Sequence, residues 1–207
     1  MRKACKNIIV ITGSVRPQNY TEKAVSIVED ELKKNDPLEF EIIHAKDLKL
    51  ALPGLDIHGT SSKMLQKKVL NATGIILASP EYHGGISSVM KLIIDNLGSP
   101  SALAGKPIVL LGVAAGSIGA IKSLEQLRSI CSHVGGIVMP RYVSISNVTG
   151  LFDEKGKCKD KEIENKFVAQ QPCYWITSSG ISVRSMLLKI CSENRKKPRS
   201  NESSQTF

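Results

Sequence analysis

Short runs of apolar, largely β-branched residues alternate along the chain with longer segments in which apolar residues recur every three or four positions. The runs are typical of strands buried on both faces, whereas the longer spacing indicates helices with one apolar face. The pattern predicts five strands, at residues 7–12, 39–43, 74–79, 107–113 and 136–143. It also predicts helices over 20–34, 61–71, 86–97, 117–133 and 160–168.

The order of these elements predicts the fold class. Strands that alternate with helices form β-α-β units, which favours an α/β fold with a doubly wound, five-stranded parallel sheet and helices on both faces. Because the crossovers are right-handed, two strand orders stay open, a Rossmann-like one and the flavodoxin-like order 2-1-3-4-5. Both orders bind ligands at the carboxyl ends of the strands, so the loops there have to decide the function.

The length of 207 residues favours one domain followed by a tail. We predict a domain over residues 1–169 and a C-terminal extension over 170–207 that is partly a disordered tail, because its last stretch is polar and charged. No apolar stretch approaches the roughly 18 residues that span a bilayer, so we expect no membrane partner. The apolar patch that begins at Ile8 indicates a first strand rather than a signal peptide.

The cysteines indicate a reducing compartment. The five cysteines are scattered, contain no C-x-x-C pair and have no histidine at metal-ligand spacing. They predict reduced thiols in the cytoplasm and no metal site. Cys131 falls in a helical apolar pattern, which favours a packing role over a catalytic one.

The formal net charge of +9 raises the question of a nucleic-acid partner, because basic surfaces attract polyanions. The densest cluster lies in the polar terminal stretch and consists of Arg195, Lys196, Lys197 and Arg199. No aromatic-rich platform or zinc spacing accompanies this cluster. We therefore expect no nucleic-acid partner, and binding through the tail stays an alternative hypothesis.

The loop "GSVRPQNYT" (13–21) follows the first strand and contains neither G-x-G-x-x-G nor the P-loop motif. Gly13 permits an unusual backbone angle, Arg16 supplies a charged fork, and the helix that begins near Tyr20 directs free amides at the turn. Four side chains add hydrogen-bond donors: Ser14, Asn19, Tyr20 and Thr21. The combination predicts a phosphate site, and an ordinary turn with a solvated arginine is the alternative.

The loop "SPEYHGG" (79–85) ends the third strand and leads into the helix with the clearest apolar stripe. Pro80 stiffens it, and Gly84 and Gly85 let the backbone approach a flat ligand closely. Tyr82 and His83 offer ring surfaces with polar edges. Backbone amides here would suit the carbonyls and ring nitrogens of a flavin, and the alternative is that the two rings cover the start of the helix.

The loop "VAAGSIGA" (113–120) follows the fourth strand and consists mainly of small residues. Small side chains let the backbone lie against the edge of a ring, and Ser117 can cap the helix that follows. A packing turn is the alternative. Three such loops at one edge of the sheet together favour a ligand site.

The segments "GSVRPQNYT", "SPEYHGGISSVMKLIIDNL" and "VAAGSIGAIKSL" resemble the three signature regions of the NADPH-dependent FMN reductase family. The likeness extends over about residues 5–168, and the second segment is the most specific. It implies a flavodoxin-like fold, bound FMN, and reduction of quinones, azo dyes, metal oxyanions or free flavin by NADPH or NADH.

The resemblance also implies which residues contact FMN. The phosphate would be held by Ser14 and Arg16, joined by Asn19, Tyr20 and Thr21. The ring and ribityl chain would be bracketed by Pro80, Glu81, Tyr82, His83, Gly84 and Gly85. The far side of the ring would be met by Ala115, Gly116 and Ser117.

We expect no catalytic side chain, because the cofactor carries the hydride chemistry, and Glu81 as a catalytic acid is a weaker hypothesis. The expected cycle is ping-pong, with NAD(P)H and then a small acceptor at the exposed flavin face. The resemblance further implies a homodimer or homotetramer that associates through the helix after the second loop. The main alternative is a flavodoxin-type electron carrier, although such carriers are usually acidic and this chain is basic.

Overall fold

Seven strands and four α-helices make up the part of the chain that the computed structural model describes, residues 6–34, 38–55, 61–153 and 156–159. The strands are β1 (Lys6–Thr12), β2 (Leu38–His44), β3 (Gly74–Tyr82), β4 (Gly85–Ile86), β5 (Pro107–Val113), β6 (Ile137–Val138) and β7 (Val143–Ile145). The helices are α1 (Tyr20–Lys33), α2 (Ser62–Asn71), α3 (Ser88–Asp95) and α4 (Ile121–His133).

The strand order confirms the flavodoxin-like fold. The parallel sheet runs β2-β1-β3-β5-β6, β7 also pairs in parallel with β5, and β4 pairs antiparallel with β3. Because β6 and β7 pair with successive parts of β5, they share the fifth position of the sheet. The order is therefore the predicted 2-1-3-4-5, and the Rossmann-like alternative is excluded.

The fifth strand is not the continuous element predicted over 136–143. Strand β6 pairs with β5 near Pro107 and β7 pairs near Gly112, and residues 139–142 between them lie outside both strands. Pro140 has no N–H to donate to a ladder. The Arg128 guanidinium donates to the carbonyls of Met139 at 3.3 Å and Pro140 at 2.9 Å. The Arg128 side chain of α4 thus forms hydrogen bonds with two carbonyls that are not part of a strand ladder.

The core consists of two layers, one on each side of the sheet. Alternate side chains of β1 and β3, such as Ile9 and Leu77, are buried in one cluster with apolar residues of α2, α3 and α4. Successive strand residues point to opposite faces, so Ile8 and Ile76 face the other way. The apolar residues of α1, such as Val28, are buried outside that cluster, which places α1 on the opposite face.

The helix limits agree with the sequence-based expectation at α1 and α2 and differ at the other two. Helix α3 begins at Ser88 rather than 86, because Gly85–Ile86 form β4 and Ser87 caps the helix. Helix α4 begins at Ile121 rather than 117, with Ala120 at its N-cap position. The prediction that Ser117 caps α4 is therefore wrong. The helix predicted over 160–168 and the extension over 170–207 lie outside the described residues, and the domain division stays a prediction.

Cys131 is fully buried on the inner side of α4. Burial raises the pKa of its thiol to about 12, because a low-dielectric environment disfavours the thiolate. The thiol is therefore neutral at physiological pH, which favours the packing role. None of the helices in the described ranges combines the length and apolar character that crossing a bilayer requires.

Candidate functional site

The three loops singled out in the sequence border one cleft of about 430 Å³, at the carboxyl ends of β1, β3 and β5. Nine of the predicted site residues line it: Ser14, Arg16, Asn19, Tyr20, Thr21, Pro80, Glu81, Tyr82 and Ala115. Five do not: His83, Gly84, Gly85, Gly116 and Ser117. Six lining residues were not predicted: Pro17, Gln18, Val113, Ala114, Val148 and Thr149.

Ser14 is the polar residue at the base of the first loop, and it is only 1% exposed. Among the described residues its Oγ, which is itself buried, has no hydrogen-bond partner. A buried hydroxyl without a partner costs free energy on the order of 1–3 kcal/mol. Because Ser14 lines the cleft, a ligand with acceptor oxygens would satisfy this hydroxyl.

Asn19 fixes the start of α1. Its Oδ1 accepts from the Glu22 amide at 2.8 Å, and its Nδ2 donates to the Arg16 carbonyl at 2.8 Å. Asn19 is therefore the helix cap, and much of its donor capacity is already used inside the loop. The first intrahelical hydrogen bond runs from the Lys23 amide to the Asn19 carbonyl at 3.3 Å. The amides of residues 20 and 21 precede it and stand at the positive end of the helix dipole.

Gly13 is required by close packing rather than by an unusual backbone angle. Its φ is not among the positive values found at seven other glycines of the described chain. A Cβ at this position would lie 2.8 Å from Met90 Cε and 3.2 Å from the Ala78 carbonyl oxygen. The Gly13 amide also donates to that carbonyl at 2.7 Å, so the first loop lies directly against β3 and α3.

Ser87 ties the first loop to the second. Its hydroxyl donates to the Gly13 carbonyl at 2.5 Å and accepts from the Met90 amide at 3.0 Å, which caps α3. The Ser87 amide in turn donates to Ser79 Oγ at 3.3 Å. One buried residue therefore joins β1, the end of β3 and the start of α3. Ser87 lies within the second segment that resembles the family, but the sequence pattern does not predict its role.

The second loop is a β-hairpin. Glu81 pairs with Ile86 and Tyr82 with Gly85, which leaves a two-residue turn. Both turn residues have positive φ, +52° at His83 and +73° at Gly84, as a type I′ turn requires. These two residues form the tip of the hairpin, away from the cleft lining.

Gly85 follows the hairpin tip and packs against α4. A Cβ on Gly85 would lie 2.9 Å from Gln126 Oε1, so a side chain here would displace the end of the Gln126 side chain. The two-residue turn accounts for the positive φ of Gly84, and a close approach of the backbone to a ligand at Gly84 and Gly85 stays a prediction.

The third loop is joined to the segment that follows β7. The Gly116 carbonyl accepts from the amides of Gly119 at 3.3 Å and Asn147 at 3.1 Å. The Val148 amide donates to the Ala114 carbonyl at 3.2 Å. These contacts bring residues 148 and 149 into the cleft. The signal for them was the end of the fifth strand, because the carboxyl ends of parallel strands meet at one edge of the sheet.

The composition of the cleft fits a phosphorylated mononucleotide with a flat ring. A buried unpartnered hydroxyl, the first amides of a helix and the exposed Arg16 suit a dianionic phosphate. Pro80, Val113 and Ala115 form an apolar wall that suits a planar heterocycle. The one carboxylate of the lining, Glu81, accepts a hydrogen bond from the Ser123 amide at 3.0 Å.

The strand order and the cleft at its carboxyl edge define a flavodoxin-like α/β protein of the kind that binds ligands between strand-end loops. Residues 6–150 match the NADPH-dependent FMN reductase family, and the chain belongs to that family. It is therefore an oxidoreductase with FMN as cofactor and NAD(P)H as co-substrate. The resemblance of the three loops to this family is confirmed.

Known proteins agree with this assignment. An FMN-dependent NADPH-azoreductase of Staphylococcus aureus (strain USA300) is 27% identical over 155 residues, which cover 72% of this chain and 81% of the relative. The flavoenzyme FerB, an NAD(P)H:(acceptor) oxidoreductase of Paracoccus denitrificans, has a TM-score of 0.66 at 22% identity and covers 80% of this chain and 96% of its own. An azoreductase of Bacillus anthracis str. Sterne has a TM-score of 0.58 at 15% identity, covering 79% and 95%. The two structures show the shared fold.

Proposed function

We propose that this cleft holds FMN with its phosphate at the first loop, and that the protein reduces a small oxidised molecule with NAD(P)H. The observation that carries the placement is the buried Ser14 hydroxyl without a partner among the described residues. Ser14 Oγ, the Arg16 guanidinium and the amides of residues 20 and 21 would bind the phosphate. Tyr82 and Ala115, which both line the cleft, would border the ring.

FMN, when bound, supplies the two-electron chemistry, taking a hydride from NAD(P)H and giving it to the acceptor. The residues of the chain then have to bind and orient FMN and leave one face of its ring open. Tyr82 is 37% exposed, so the cleft offers an aromatic surface to an incoming molecule. We expect reductant and acceptor to use this surface in turn, which is a ping-pong cycle.

The acceptor class follows from the lining and from the relatives. Tyr82 and the apolar lining residues suit flat aromatic molecules such as quinones and azo compounds. The Staphylococcus aureus relative is named as an azoreductase, which supports an azo compound as a trial substrate. A homodimer or homotetramer, and a cytoplasmic location where reduced nicotinamides are made, belong to the same proposal.

Steady-state kinetics test the proposed reaction. With added FMN, the protein should oxidise NADPH when a benzoquinone or a sulfonated azo dye is present, and double-reciprocal plots at several acceptor concentrations should be parallel. Parallel lines indicate that the reductant reacts and leaves before the acceptor binds. Intersecting plots would contradict the ping-pong cycle, and no NADPH oxidation with any small acceptor would favour the electron-carrier alternative.

Variants of the first loop test the placement of the phosphate. Ser14→Ala removes one charge-assisted hydrogen bond and Arg16→Ala removes a charged fork, so each should weaken FMN binding by about 1–3 kcal/mol, or roughly tenfold to a hundredfold in Kd. Quenching of flavin fluorescence gives the Kd. Ser26→Ala, on the exposed face of α1, is the matched control and should bind FMN like the parent protein. Unchanged affinity in both loop variants would contradict the placement.

A further inference from the structure

The N-terminus of α4 has no cap from its own sequence. The N-cap residue is Ala120, which makes no side-chain hydrogen bond, and the first turn contains no acidic residue. A helix start of this kind leaves amides without partners at the positive end of the helix dipole. Because Ser123 is buried, its amide needs a partner from elsewhere in the protein.

The partner comes from the hairpin of the second loop. Glu81 Oε2 accepts from the Ser123 amide at 3.0 Å. One turn further along α4, Gln126 Oε1 accepts from the Ile86 amide at 2.9 Å. Glu81 and Ile86 are paired across the hairpin, so α4 holds both of its strands at the same level. We call these two contacts the α4 latch.

The α4 latch lies next to the proposed FMN wall. Glu81 stands between Pro80 and Tyr82, and all three residues line the cleft. Any shift of the hairpin away from α4 would therefore move this wall. On the other strand of the hairpin, Gly85 lies next to the end of the Gln126 side chain.

We propose that Glu81 is a positioning residue that caps α4 from outside the helix and thereby fixes the Pro80–Tyr82 wall of the cleft. The inference rests on the proposed function in one respect, namely that this wall borders FMN. The role needs a hydrogen-bond acceptor at Glu81 and no proton transfer. It is thus distinct from the hypothesis of a catalytic acid, which needs a carboxyl group.

Three variants of the full-length chain separate these roles. Glu81→Ala removes the acceptor, Glu81→Gln keeps an acceptor but has no acidic proton, and Glu125→Ala removes the same charge from an exposed position of α4. The first readout is hydrogen exchange of the Ser123 amide by NMR without added FMN. The second is the Kd of FMN, and the third is kcat and KM for the acceptor.

Glu81→Ala should speed exchange of the Ser123 amide about tenfold and raise the Kd of FMN by a similar factor, because the buried amide loses its hydrogen-bond acceptor. In Glu81→Gln, the exchange rate of the Ser123 amide and the Kd of FMN should stay close to those of the parent protein. Glu125→Ala should change neither quantity. If Glu81→Ala fails to fold, Gln126→Ala tests the other half of the α4 latch. This variant should show faster exchange at the Ile86 amide and a higher Kd of FMN.

The outcomes distinguish the latch from its rivals. Normal exchange at Ser123 and normal FMN binding in Glu81→Ala, with a fall in kcat in both Glu81→Ala and Glu81→Gln, would overturn the positioning role in favour of an acid. Unchanged exchange at Ser123 in Glu81→Ala would overturn the α4 latch itself. If exchange responds as expected while the parent protein binds no FMN, the α4 latch stands and the proposed function fails.

Discussion

Ser87 shows how much of the site one small side chain organises. Its hydroxyl caps α3 and binds the Gly13 carbonyl, and its amide binds Ser79. The residue is 1% exposed, so water cannot replace these partners if the hydroxyl is lost. The geometry of the first loop therefore depends on a residue that does not line the cleft.

Replacing Ser87 should affect both stability and binding. Ser87→Ala should lower the free energy of unfolding by about 1–3 kcal/mol, since a helix cap and a buried hydrogen bond are lost together. The Kd of FMN should rise because the Gly13 turn loses its anchor. Urea unfolding and FMN titration measure the two effects. Ser88→Ala is the neighbouring exposed control, and equal losses in both variants would contradict the role of Ser87.

The helices and strands could be predicted where local pattern decides them. Residues 8–11 of β1, 74–78 of β3 and all of β5 are apolar and buried, and the predicted limits of β5 match its observed ones. The predicted limits are wrong where a side chain from a distant part of the sequence determines the local structure. The fifth strand is interrupted where Arg128 binds the carbonyls of 139 and 140. Helix α4 takes its cap from Glu81, 42 residues away in sequence, instead of from Ser117.

The sequence predicts a ligand-binding loop at residues 79–85, but it does not predict that this loop is a β-hairpin. The sequence predicts that Gly84 and Gly85 let the backbone approach a flat ligand closely, and this stays a prediction. In the structure Gly84 has a positive φ in a two-residue turn, and Gly85 lies next to Gln126. Two strand segments joined by two residues, the second of them a glycine, can form a β-hairpin. The strand pairing shows that residues 81–86 form one here.

At the scale of the whole molecule, the candidate site could be predicted because parallel strands end at one edge. Three loops that are far apart in sequence all line one cleft, as the strand order requires. Val148 and Thr149 could not be predicted by motif, since hydrogen bonds to the third loop bring them to the cleft. The basic cluster at 195–199, the basis of the nucleic-acid alternative, lies outside the described residues.

The central claim is that the first loop recognises the phosphate of the flavin, and the most direct measurement is a comparison of FMN with riboflavin, which lacks that phosphate. Titration of each flavin, followed by fluorescence quenching at moderate salt, gives the two Kd values. FMN should bind at least about a hundredfold more tightly, because two or more charge-assisted hydrogen bonds are made only by the phosphate. Equal affinity for the two flavins, or no binding of FMN, would contradict the claim.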